Sequence, residues 1–65
     1  MQYDPKIDVV YMRLAKGKYD HTRKVLESIL VDEDKKDRVL GIEILDAKKN
    51  ITAFDPQTTF HAQII

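Results

Sequence analysis

Apolar and polar residues alternate along much of the chain with the period of two that marks a strand buried on one side. Residues 9–14 (VVYMRL) place Val10, Met12 and Leu14 on one face and Val9, Tyr11 and Arg13 on the other. Their β-branched and aromatic side chains suit a pleated, half-buried surface. Residues 39–45 repeat the pattern, with Leu40, Ile42 and Ile44 opposite Val39, Gly41, Glu43 and Leu45. Gly41 inside that run points to a bulge or to another group approaching the backbone. Residues 19–26 make a poorer strand, because His21, Arg23 and Lys24 require a wet side. Residues 29–31 continue the series after a bend at Glu27-Ser28, and residues 1–3 add a short strand.

The turns are read from residue chemistry. Asp4-Pro5 opens one, since Asp bonds its own downstream backbone and Pro presets φ. Ala15-Lys16-Gly17-Lys18 reads as a hairpin loop in which Gly17 supplies a positive φ. Residues 34–37 read as a second hairpin, an acidic and basic turn that tolerates left-handed geometry at Asp37. The result is a mainly β fold, an antiparallel four-stranded meander with a short C-terminal segment.

That segment, residues 46–65, has two readings. Asp55-Pro56 has the form of an N-cap followed by Pro at the first helical position, with Phe60 and Ile64 one turn apart. Thr58, Thr59, Ile64 and Ile65 favour strand instead, and Phe60, Ala62 and Ile64 alternate. An extra strand is slightly preferred; a short helix would make the class α+β. The expected core is Val10, Met12, Leu14, Val25, Ile29, Val31, Leu40, Ile42 and Ile44. One sheet has an apolar face to cover. The tail is too short to cover it all, so a homodimer is expected, by sheet stacking or tail exchange.

Sixty-five residues, 43% hydrophobic and 34% charged, sustain one small domain over 1–65 and are too apolar for a disordered tail. There is no cysteine, which excludes disulfides and thiol chemistry and suits a reducing cytoplasm. No apolar run approaches the roughly 18 residues of a membrane span. The N-terminus also lacks the charged-then-apolar order of a signal peptide. The expected location is therefore cytoplasmic, away from membranes.

Eleven basic residues balance eleven acidic ones. The basic excess on which nucleic-acid binding relies is missing, so no nucleic-acid partner is expected. The charge is nevertheless uneven. Residues 1–26 hold six Lys or Arg against three carboxylates, residues 27–46 three against seven, and residues 47–65 two against one. Such segments either pair across strands, at about 0.2–1 kcal/mol per pair, or present an acidic patch to a basic partner.

Site chemistry is sparse. Asp32, Asp34 and Glu43 fall at positions one, three and twelve of an EF-hand-like loop, but Lys36 replaces the fifth ligand and Asp37 the turn glycine. His21 and His61 are the only histidines, short of the three protein ligands of a catalytic zinc. Ser28 is the only serine and has no histidine near it in sequence. No glycine-rich loop cradles phosphate. Tyr3, Tyr11 and Tyr19 with Arg13, Arg23 and Lys24 could stack bases, yet aromatics are only 8% of the chain. No catalytic residue, metal or cofactor is assigned.

Tyr3-Asp4-Pro5, residues 8–14, Asp32-Glu33-Asp34 and residues 39–47 (VLGIEILDA) together resemble the family called domain of unknown function 2283. The resemblance covers about residues 3–49, and its specific part is 41–47; residues 50–65 form a C-terminal extension. That family often has glycine near Lys36-Asp37, which this chain lacks. The resemblance implies a small prokaryotic protein with an antitoxin or assembly role and no catalytic residue to transfer. Glu43 and Asp46 lie in the matched run. With Asp32, Glu33 and Asp34 they are the candidate interaction residues.

The expected function is a small protein-interaction module, a homodimer that binds a basic partner through acidic residues 27–46. The alternative is a small-ligand or catalytic domain with a site at a dimer interface, where Tyr11, Arg13 or Glu43 converge. An exposed apolar patch or open sheet edge marks the first, an enclosed polar pocket the second.

Overall fold

The two best alternating runs become neighbours at the centre of a single sheet. This is seen in a computed structural model of the chain, which describes residues 1–55 and 63–64. The strands are β1 (Gln2–Asp4), β2 (Val9–Arg13), β3 (His21–Leu26), β4 (Ile29–Glu33), β5 (Val39–Ile44) and β6 (Gln63–Ile64), with a short helix α1 (Ala47–Asn50) before the last. Their spatial order is β3-β4-β5-β2-β1-β6. Strands β1 to β5 pair antiparallel, and β6 joins β1 in parallel. The mainly β, antiparallel reading holds. Among the described residues no helix is long and apolar enough to cross a membrane.

The strand order is not that of a simple meander. Strand β2 lies between β1 and β5, so residues 14–20 are not a hairpin. They carry the chain across to the far edge, anchored by the Leu14 and Ala15 amides on the Leu40 carbonyl (2.9 and 3.2 Å) and the Asp20 amide on the Glu33 carbonyl (2.9 Å). The reason is competition for burial. β2 and β5 carry the most regular apolar faces and set Val10 opposite Ile44 and Met12 opposite Ile42. The cationic β3 takes an edge, where one flank stays wet. Gly17 has no positive φ. A Cβ there would sit 2.6 Å from Leu40 Cδ2, so glycine lets the crossover lie close to Leu40 rather than make a turn, and a larger residue would displace the end of that side chain.

The core sits towards β1 and β2, where Tyr3, Val10 and Ala47 are buried and Met12, Ile44, Ile51 and Phe54 pack against them. The Tyr3 and Phe54 rings meet edge to face at 4.9 Å. Residues 5–8 make the predicted turn: the Lys6 amide donates to Asp4 Oδ1 (2.9 Å), and Asp8 takes φ 55°. The Asp8 carbonyl then accepts the Ala47 amide at 3.0 Å, which seats α1 on the sheet.

Of the expected core, Val10, Val31 and Leu40 are buried and Met12, Ile29, Ile42 and Ile44 half-buried. Leu14 and Val25 are corrections, at 58% and 45% exposed. Leu14 leaves the sheet as the crossover begins. Val25 lies in the edge strand at a register shift between Lys24 and Leu26. The tail holds both a helix and a strand. The helix, Ala47–Asn50, comes earlier than the expected start at Pro56, and β6 supplies the preferred strand. Pro56, Thr58, Thr59, Phe60, Ala62 and Ile65, on which the two readings of the tail also rest, lie outside the described residues, as does His61.

Candidate functional site

The five candidate acidic residues do not form one patch. Alternation along β4 sends Asp32 and Glu33 to opposite faces. Glu33 faces His21 across the β3–β4 pair and is only 2% exposed. Its carboxylate accepts Arg23 Nε (3.2 Å) and Nη2 (3.1 Å) and contacts His21 Nε2 at 3.2 Å. Asp34, also buried, accepts the Lys36 amide (2.8 Å), the Arg38 amide (2.9 Å) and Arg38 Nε (2.7 Å). Glu33 and Asp34 are thus occupied inside the molecule. Asp46 is exposed beside α1, with φ 49° and no side-chain capping bond.

The remaining two come together. Asp32 pairs across with Gly41, and Glu43 lies between Leu30 and Tyr11. Asp32 and Glu43 are therefore diagonal neighbours on one sheet face. Burial raises the Glu43 carboxyl above its usual range, and the charge and hydrogen bond of Asp32 add to that. Thr22 Oγ1 donates to Asp32 Oδ1 (2.7 Å), and the Tyr19 hydroxyl is 2.8 Å from Thr22 Oγ1. The Tyr11 hydroxyl lies across Gly41, only 2.6 Å from where a Cβ would stand. Close approach is thus one of the two roles expected for this glycine. Arg13, opposite Gly41 on the same face, turns its Nε to the Ala15 carbonyl (3.1 Å). Among the described residues no cation pairs with Asp32 or Glu43.

A second polar cluster surrounds His21. Its Nδ1 lies 2.8 Å from Asp20 Oδ2, and its Nε2 lies 3.1 Å from Asp37 Oδ1 as well as near Glu33. The donor atoms of His21, Glu33 and Asp37 fall within 4.8 Å of one another, a spacing a metal could use. Arg23 already neutralises Glu33, and a proton serves His21: its hydrogen bond to Asp20, with help from Glu33, raises its pKa above 6.5 against the opposing effect of burial.

These shifts predict a pH dependence. The Arg23 hydrogen bonds hold Glu33 below 4.5, and the Arg38 amide holds Asp34 below 3.8. Depressed carboxyls contribute stability that is present above those ordinary values and lost as pH falls through the folded ones. His21 has the opposite sign: its contribution is complete below 6.5 and fades as pH rises through the raised folded pKa. Thermal midpoints should therefore fall on both sides of a mildly acidic optimum. Glu33→Gln should make the acid limb shallower. An acid limb identical in the variant would show that Glu33 carries none of it.

Thr22 carried no signal in the sequence, and its link to Asp32 and to Tyr19 depends on the β3–β4 register. Sequence reading also missed the meeting of Lys16 and Lys18 with Lys35 and Lys36 at one cleft. Both pairs are visible as short basic runs, but only the crossover brings them together. A family model described as Protein of unknown function (DUF2283) matches residues 1–48, which takes in all five candidate acidic residues. No curated protein and no solved structure matches the chain.

Proposed function

From the premise that the chain belongs to the DUF2283 family, we propose that it is a small protein-interaction module whose Asp32 and Glu43 receive a cationic side chain of a basic partner. The supporting observation is the pairing of two carboxyls on adjacent strands with no ion-paired cation among the described residues, so that Asp32 opposes the ionisation of Glu43. An incoming Arg or Lys supplies the missing charge, and Arg can bridge two carboxylates at once. Half-buried Tyr11 and Leu30, both next to Glu43 in the sheet, offer apolar contact around the charge. The proposal includes a cytoplasmic, antitoxin-like role. It also includes a homodimer through the edge strand β3, where Leu26 is 66% exposed; sedimentation at the monomer mass at all concentrations would remove the homodimer.

The test is capture from a lysate of the host by the tagged chain and by an Asp32→Asn/Glu43→Gln double variant. A basic protein should be held at about 50 mM salt and released by about 300 mM, as charge screening requires. The double variant should capture it at least about tenfold less. Equal capture by the variant, or recovery of nothing beyond the chain itself, would overturn the proposal.

A further inference from the structure

Three of the eleven Lys and Arg side chains are ion-paired among the described residues: Arg23 shares Glu33 with His21, Arg38 holds Asp34, and Lys24 lies 3.6 Å from Glu27. Lys16, Lys18, Lys35 and Lys36 have no ion-pair partner among the described residues. All four line one cleft of about 420 Å³ between the crossover and the 34–38 hairpin. Two carboxylates also line it, but Asp34 is bound by Arg38 and Asp20 by His21. Lys6, Arg13, Lys48 and Lys49 are unpaired as well, so four of the eight cations without an ion-pair partner among the described residues gather at this one cleft.

The cleft is not merely basic. Its lining includes buried Leu40 and the apolar parts of Val39 and Ala15, with the half-exposed ring of Tyr19 beside them. Gly17 lies against Leu40, where a side chain of its own would collide. The amides of Lys16, Gly17 and Lys18 have no acceptor among the described residues. An apolar floor ringed by cations and free amides is complementary to an apolar ring system that carries phosphate. The volume lies within the roughly 300–1,000 Å³ of small-molecule sites. We propose that this cleft binds a nucleotide, its base against Leu40 and Tyr19 and its phosphates against the four lysines. Neither Asp32 nor Glu43 lines the cleft, and the one link between the two sites is Tyr19, joined through Thr22 to Asp32.

The test is an NMR titration of the full chain with ATP, adenosine and tripolyphosphate. ATP should move the signals of residues 15–20 and 34–40 and saturate below about 1 mM. Adenosine and tripolyphosphate should each bind at least about tenfold more weakly. Lys16→Gln/Lys18→Gln and Lys35→Gln/Lys36→Gln should each weaken ATP by about tenfold or more, whereas Glu43→Gln should not. All the substituted lysines are exposed, so folded variants with unchanged spectra elsewhere are expected. No saturable shift up to about 5 mM ATP would overturn the proposal. So would tripolyphosphate binding as tightly as ATP, or full affinity in both lysine variants.

Discussion

Replacing Val10 by alanine is expected to remove about 2–3 kcal/mol of stability. Val10 is 1% exposed and lies between Tyr3 and Ile44 in neighbouring strands, within the core cluster that includes Ala47. The deleted methyls leave a void that rigid sheet backbones cannot close. A domain of this length has about 3–5 kcal/mol in all, so the variant should unfold at much lower urea with an unchanged slope. Val9→Ala is the control. Val9 is half-buried on the opposite face, and its loss should cost about 1 kcal/mol or less. Equal losses in the two variants would contradict the assignment of the Val10 face to the core.

Asp34→Ala is expected to loosen the 34–38 hairpin. Its carboxylate alone satisfies the amides of Lys36 and Arg38 and the Arg38 guanidinium. Without it those two amides should exchange with solvent at least about tenfold faster. The same variant separates charge from geometry at the cleft. Removing a carboxylate should by Coulomb's law strengthen anion binding. If Asp34 acts by holding Lys35, Lys36 and Arg38 around the cleft, binding weakens instead. Unchanged exchange at Lys36 and Arg38 would show that strand pairing alone maintains the hairpin.

Several features of the fold were legible in short stretches of residues. The alternation in residues 9–14 and 39–45 located β2 and β5 to within a residue of their observed ends. The hairpin chemistry allowed Asp37 a left-handed conformation, and its φ is 60°. Such features depend on sterics and side-chain bonds within a few residues. Tyr3 and Ala47 were not legible as core. Tyr3 lies in a three-residue strand, and Ala47 is buried only because the Asp8 carbonyl seats α1 on the sheet.

The candidate site divides along the same line. Asp32, Glu33 and Asp34 are contiguous and read as a patch, yet the strand period sends Asp32 to one face while Glu33 and Asp34 are consumed by Arg23 and Arg38. Asp32 and Glu43 are joined by the β4–β5 register. Lys16 and Lys18 meet Lys35 and Lys36 because residues 14–20 cross the sheet. By itself the sequence determined the class, most of the strands and turns, and the family. Tertiary structure alone decided which strands are neighbours, and with that which charges are neutralised and which remain free. Alternation and turn chemistry act over a few residues, whereas neighbours are chosen by competition among all strands for the buried centre of one sheet.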